Sequence, residues 1–293
     1  MISINNTSTW TPLSPRRLHL LTWGAVFGLT DIGPVRSNNE DNFLIDEALE
    51  LVMVADGMGG HAAGAVASAA ALIAVRQFLQ QEVLRSAQSE TTNTNVSAKL
   101  MESDPDETGF NPNTYALSLL NGATKFANSE LYAKNLTSGR TQGGMGTTLT
   151  GFFHCTVSKS LIFFHVGDSR LYRYRTGALI QLTRDQTHYQ QALDLGAIEN
   201  LPATNLLLQA VGPSSDVTPE IRAFRVERND LLMLCSDGLH GSVPHGEIEQ
   251  ALAAANESTL EQVCAHLISL AKEYGGRDNI TVLLVLCSSL CGT

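Results

Sequence analysis

The 293-residue sequence predicts an α+β architecture in which mixed or antiparallel sheets are covered by helices. Three observations predict it. Short runs rich in Val, Leu, Ile and Phe recur along the chain, and three longer stretches carry helical spacing. The two kinds of segment do not alternate as a parallel sheet with crossover helices would require. The strands are expected at 24–29, 51–55, 147–153, 161–166, 231–235 and 281–286, each bounded by Gly, Asp or Asn. The first helix, 61–81, is Ala-rich, with Val66, Leu72, Val75, Phe78 and Leu79 spaced to build apolar contacts. The second, 114–134, repeats Leu, Ala and Tyr at three- and four-residue steps; the third, 260–274, is stopped by Gly275-Gly276. Residues 1–22 read as a flexible leader, and 23–290 as a single domain. Residues 86–113 are polar without a sustained apolar face and read as a long mobile connection between two helices.

Composition narrows the function. Nineteen Lys and Arg against 29 Asp and Glu leave a net charge of −10, which disfavours nucleic acid as a partner. The 43% hydrophobic and 16% charged content suits a compact globule. No run is expected to reach the roughly 18 apolar residues of a membrane span, and the start lacks a secretory pattern. Cys155, Cys235, Cys264, Cys287 and Cys291 are odd in number and lack zinc-site spacing. A soluble, cytoplasmic, monomeric protein is the expectation.

Four apolar runs are bordered by an aspartate: LVMVAD (Asp56), FFHVGD (Asp168), LLMLCSD (Asp237) and DNITVLLVL (Asp278). Singly, each is a common turn residue. Together, three acids leave strands at their ends and one enters at a start, so antiparallel neighbours can bring all four to one sheet edge. Clustered carboxylates repel one another and are tolerable where cations share the space. Oxygen ligands without Cys/His spacing favour hard ions such as Mg²⁺ or Mn²⁺, which points to a carboxylate-held, two-metal hydrolytic site. In 30–41, TDIGPVRSNNED, Arg36 stands just before Glu40 and Asp41. A guanidinium there could capture a phosphate bidentately, or merely neutralise a surface loop. The glycine-rich 55–64, ADGMGGHAAG, is neither a Walker loop nor a dinucleotide fingerprint.

In chain order, DIGxxRSNNED (31–41), VADGMGGH (54–61), GMGTT (144–148), VGDSR (166–170), CSDGL (235–239) and RDNIT (277–281) resemble the metal-dependent type 2C Ser/Thr protein phosphatase family in its bacterial form. The resemblance spans 30–281 and implies a four-layer α-β-β-α sandwich, two antiparallel sheets flanked by helices. It implies hydrolysis of phosphoserine and phosphothreonine by a water activated between two divalent metals, Mn²⁺ or Mg²⁺, without a covalent intermediate. Its substrates would be phosphoproteins made by Ser/Thr kinases. By motif position Asp56 bridges two metals, the Gly57 carbonyl binds one, and Asp237 and Asp278 complete the other. Glu40 and Asp41 hold metal-bound waters, and Arg36 grips the phosphate. Asp168 and Arg170 are expected to order their loop, and Asn279 to be structural.

Eukaryotic members carry a His two residues after the bridging Asp, where this chain has Met58. His61 follows, as in bacterial relatives; it could be the general acid, cap the helix or pack inside. A third ion, held in some bacterial relatives by an acid just before the MGTT motif, is expected to be weak or absent. Thr141, Gln142, Gly143 and Gly144 supply no carboxylate. Residues 183–212 occupy the place of a flap beside the site in bacterial members, with the composition for a short helix and mobile loop. Two other readings compete. A pseudo-phosphatase would lack core acids, all of which are present, and a metal nuclease would want a basic groove.

Overall fold

The computed structural model describes residues 13–60, 62–92, 112–139, 144–155 and 160–288. Their strands pair in two main sheets. One runs in the order β1 (His19–Leu21), β2 (Gly24–Asp31), β13 (Ile280–Cys287), β12 (Leu231–Cys235), β9 (Arg170–Arg175), β10 (Ala178–Gln181). The other runs β11 (Glu220–Phe224), β8 (Ser160–Val166), β7 (Leu149–Cys155), β4 (Leu51–Ala55), β3 (Asn42–Asp46). Every pairing is antiparallel, as is the small ribbon of β5 (Gly57–Met58) and β6 (Gly146–Thr147).

Side-chain alternation builds the layers. In β4, Val52 and Val54 face the other sheet, while Leu51, Met53 and Ala55 face α1 (Ala62–Thr92) and α2 (Pro112–Thr137). In β12, Leu232 and Leu234 face inward, while Met233 and Cys235 meet α5 (His245–Leu252) and α6 (Leu260–Glu273). A strand buried on both faces reads as a continuous apolar run, which is why these two were legible in the sequence. The result is the expected α-β-β-α sandwich, with Trp23, Phe43, Phe152 and Phe163 in the layer between the sheets.

Several expectations need correction. Residues 13–22 are not a loose leader: β1 pairs with β2, and the buried Ser14 Oγ accepts from Ile45 N at 2.8 Å. Residues 1–12 lie outside the described residues, as does 93–111 of the polar connection; 86–92 of that connection continue α1. Val66 is exposed rather than packed, although Leu72, Val75 and Leu79 are fully buried. The alanines of α1 make its stretch Ala63–Arg85 long and apolar enough to span a membrane by composition. Here Ala67, Ala71, Leu72, Val75 and Leu79 are packed in the core shared with α2, and α1 is a core helix.

Of the strands the sequence did not show, β9 has a plain cause. β9 reads RLYRYR and looks too charged for a sheet interior. Its Arg170 pairs with Asp185 and its Arg175 with the buried Asp230, so the charges are matched at the strand's two ends.

Candidate active site

Strand direction brings the acids together. β12 leaves its sheet where β13 enters, joined by Ser236 N donating to Thr281 O at 3.1 Å, so Asp237 and Asp278 share one edge. β2 ends at the same edge, with Asp31 opposite Ile280, and this launches the 32–41 loop there. In the other sheet, Asp56 follows β4 and Asp168 follows β8. Asp56 N donates to Thr148 Oγ1 at 2.9 Å, and that hydroxyl lies 2.7 Å from Ser169 Oγ. Arg36, Glu40, Asp56, Asp168, Asp237 and Asp278 thereby line one cleft of about 740 Å³.

The chain around the acids is fixed by side-chain clamps. Asn279 Nδ2 donates to the carbonyls of Ile32 and Asn38, both at 2.9 Å, and its Oδ1 accepts from Glu40 N at 2.8 Å. One amide thus holds both ends of the loop that carries Arg36. Asp41 is fully buried, its Oδ2 accepting from Ser236 Oγ at 2.6 Å and Thr281 Oγ1 at 2.7 Å. Gly57 can only be glycine, since a Cβ there would stand 2.1 Å from Gly64 O. Arg36 does not stand free: its Nη2 donates to Asp278 Oδ2 at 2.6 Å and its Nε to Arg277 O at 3.3 Å.

The electrostatics fit cations. Burial, reinforced by Asp41, Asp237, Asp168 and Asp278, raises the Asp56 carboxyl well above its usual range. Burial and Asp278 raise Asp237, which is within hydrogen-bonding reach of Asp56. Burial pushes Asp41 and Asp168 up to about 7. Asp237 Oδ1 and Asp41 Oδ1 are buried oxygens without a hydrogen-bond partner. Such oxygens are costly in an apolar interior and are what a hard divalent ion, with its waters, satisfies. Among the described residues no three acidic, His or Cys side chains form a closed ligand set by themselves, and Asp278 is turned to Arg36. Ions that keep several waters and accept a backbone carbonyl such as Gly57 O do not need such a set.

The two residues of the GDSR motif divide their work. Asp168 lines the cleft with the other acids, whereas Arg170 does the ordering. Arg170 forks onto Asp185 at 2.8 and 2.6 Å and reaches Tyr172 OH at 2.8 Å. His240 is a supporting residue that sequence reasoning missed. One helical turn beyond Asp237, its Nε2 donates to Asp168 O at 3.0 Å and ties two acid-bearing turns together. Its place three residues after the SDG aspartate was the available signal. His61 and residues 141–143 lie outside the described residues. Met58 lines the cleft, and a thioether has no proton to give.

The opposite wall comes from the 183–212 excursion, which carries α3 (His188–Asp194), capped by Thr187 Oγ1 accepting from Gln190 N. Its segment 205–210 lines the cleft and is strapped down. His188 N donates to Leu206 O at 2.9 Å and Leu208 N to Gln186 O at 2.8 Å. Gln186 Oε1 accepts from both Gly167 N and Gln209 Nε2 at 2.9 Å.

A family model described as Protein phosphatase 2C matches residues 35–284. The serine/threonine phosphatase stp of Listeria innocua serovar 6a is 36% identical over 266 residues, covering 87% of this chain and 93% of that one. The crystal structure of the Mycobacterium tuberculosis serine/threonine phosphatase PstP/Ppp is similar with a TM-score of 0.70 at 31% identity, covering 90% of this chain and 98% of that one. The catalytic domain of PstP in complex with two manganese ions matches with a TM-score of 0.69, 31% identity and the same coverages.

Proposed function

The chain belongs to the protein phosphatase 2C family and is a serine/threonine phosphatase, and from that premise we propose that its acid edge holds two Mn²⁺ or Mg²⁺ ions. Asp56, the Gly57 carbonyl, Asp237 and Asp278 are the ligands, with Glu40 and Asp41 holding coordinated waters. Bound there, the ions supply an activated water for direct attack on phosphorus, so no covalent phosphoenzyme is needed. The protein's own part is placement. Asp41 is locked by Ser236 and Thr281, and the crowded, buried acids, whose ionisation is disfavoured by burial and by one another, gain from cations that offset their charge. Arg36, tethered beside Asp278, is the one cation among the cleft-lining residues described, and it grips the phosphate's oxygens. His61 is kept as the candidate proton donor to the leaving serine or threonine oxygen.

The observation that carries this reading is the convergence of five acids and Arg36, from both sheets, on one cleft. Hydrolysis of p-nitrophenyl phosphate and of a phosphothreonine peptide, with Mn²⁺ and with EDTA, tests it. Turnover that needs the ion is expected on both substrates. Turnover undiminished by EDTA overturns the metal assignment.

The substrates are proteins phosphorylated by Ser/Thr kinases, and the enzyme works as a cytoplasmic monomer without nucleic acid or membrane. The net charge of −10 and the buried free thiols of Cys155, Cys235 and Cys264 support that setting. Sedimentation and cell fractionation check it. Calorimetric titration with Mn²⁺ is expected to find two tight sites and a third that is weak or absent.

A further inference from the structure

Glu40 and Asp41 lead into β3, which ends its sheet and pairs on one side only, with β4. The register sets Asn42 opposite Ala55, so the position of β3 fixes Asp41 and Glu40 relative to Asp56. A strand with one neighbour leaves backbone groups bare along its other edge, and such elements open most readily unless something covers them. Residues 13 and 14 cover this one. Leu13 N donates to Asn42 Oδ1 at 3.1 Å, on the residue that follows Asp41. The buried Ser14 hydroxyl accepts from Ile45 N at 2.8 Å and donates to Ile45 O at 3.4 Å, so one side chain takes up both backbone groups of that residue. Past Ser14 the segment is anchored in turn. Arg16 reaches Glu261 of α6 at 2.8 Å, Arg17 Nη2 and His19 Nδ1 both meet Glu47 Oε1 at 2.7 Å, and β1 pairs with β2 in the other sheet. This clasp lies outside the residues 35–284 that the family model matches.

We infer that Leu13 and Ser14 are positioning residues for the metal edge: by clasping β3 they hold Glu40 and Asp41 where metal-bound waters need them, and so set the affinity for the divalent ions. Ser236 and Thr281 fix the Asp41 carboxylate, whereas the clasp fixes the strand that carries it. Groups that hold a metal's ligands and waters in place govern its affinity, and losing one such support costs about 10- to 100-fold. The clasp acts one layer further out, through the backbone of β3, so the lower end of that range applies. The inference rests on the two-metal reading and adds to it an element by which this chain tunes the site.

Calorimetric titration of the full chain with Mn²⁺ tests it. Ser14→Ala is expected to raise the Mn²⁺ Kd about ten-fold. Turnover of p-nitrophenyl phosphate should fall at limiting Mn²⁺ and recover at saturating Mn²⁺, with KM for a phosphothreonine peptide unchanged. Ser14→Thr keeps the hydroxyl and should restore the wild-type Kd. Leu13→Pro removes only an N–H, at an exposed position, and should move Kd the same way by less; it carries the test if Ser14→Ala does not fold. Asp230→Asn, which breaks the Arg175 pair at the opposite end of β12 from Asp237, is the control for lost stability alone: its denaturant midpoint should drop while Kd stays. Wild-type Kd in Leu13→Pro and in folded Ser14→Ala, or an equal rise in Asp230→Asn, overturns the inference and leaves the clasp as a seal on a strand edge. In that case the wild type still binds Mn²⁺ and the phosphatase reading stands. A wild-type chain that takes up no Mn²⁺ overturns the metal reading, and this inference with it.

Discussion

The two walls of the cleft are built by opposite rules. The acid edge hangs on the ends of buried strands, and its clamps are themselves buried: Asp41 and Ser236 are sealed from solvent, and Asn279 is nearly so. The facing wall is an excursion whose helix buries nothing and whose leucines meet water. Chemistry demands positions fixed to fractions of an ångström, and only strand ends backed by a packed core supply that. Selection among protein substrates needs surface that is accessible and can change without disturbing the fold, and an excursion supplies that.

Breaking the acid edge should have the largest effect. Asp56→Asn and Asp237→Asn are each expected to lower kcat by roughly 10³-fold or more, the scale of losing one preorganised charge, with the fold retained. Circular dichroism checks the fold and phosphopeptide turnover at saturating Mn²⁺ checks the chemistry; near wild-type rates in either variant would remove that residue from the site.

The supports behind the edge come next, through pH. Burial holds His165 down at about 4 and His240 at about 3, so both rings stay neutral in the folded chain. With depressed folded values, the unfolded chain binds the extra protons, and stability is full above the unfolded value of about 6.5 and falls as pH drops below it. Near pH 5 each ring should have cost about 2 kcal/mol, from 1.5 units at roughly 1.4 kcal/mol. The buried acids, raised to about 7 at Asp41 and Asp168, act in the opposite sense, so the rings are read by difference: lowering the pH from 7.5 to 5 should cost the wild type more, in denaturant midpoint, than it costs His165→Asn or His240→Asn. An equal pH response in wild type and variants would mean that these rings are not buried neutral.

Arg36→Ala tests the boundary between the walls. A roughly ten-fold rise in phosphopeptide KM with a smaller loss in kcat is expected if the guanidinium holds phosphate in ground and transition states alike. Unchanged kinetics would reduce it to the partner of Asp278. The smallest effect belongs to the strap of the outer wall. Gln186→Ala removes acceptors for Gly167 N and Gln209 Nε2 and should lower stability by about 1–2 kcal/mol, read as a shift in thermal midpoint. No shift would show the wall to be held by its backbone alone.

The acid edge was far more legible in the sequence than the wall opposite. Asp56, Asp168, Asp237 and Asp278 each flank an uninterrupted apolar run, and strands buried on both faces leave that signature wherever they occur. β9 left none, because its terminal arginines Arg170 and Arg175 are satisfied by Asp185 and Asp230, which lie 15 and 55 residues away from their partners. The role of His240 was hidden for the same reason, since its acceptor is a backbone carbonyl 72 residues distant. The excursion revealed a helix and a turn, but not which side chains would stay in water.

The sequence by itself determined the layered α+β class, the strand ends that carry the acids and the hard-ion chemistry of an oxygen-only ligand set. Those follow from local periodicity and residue type, which every stretch of chain carries with it. Only the tertiary structure decided that Arg36 sits on Asp278, that Asn279 staples the 32–40 loop, and that the cleft is lined by charged side chains on one side and by uncharged ones on the other. Those depend on which distant segments meet, and that is set by strand register and by packing across the whole core rather than by any local pattern.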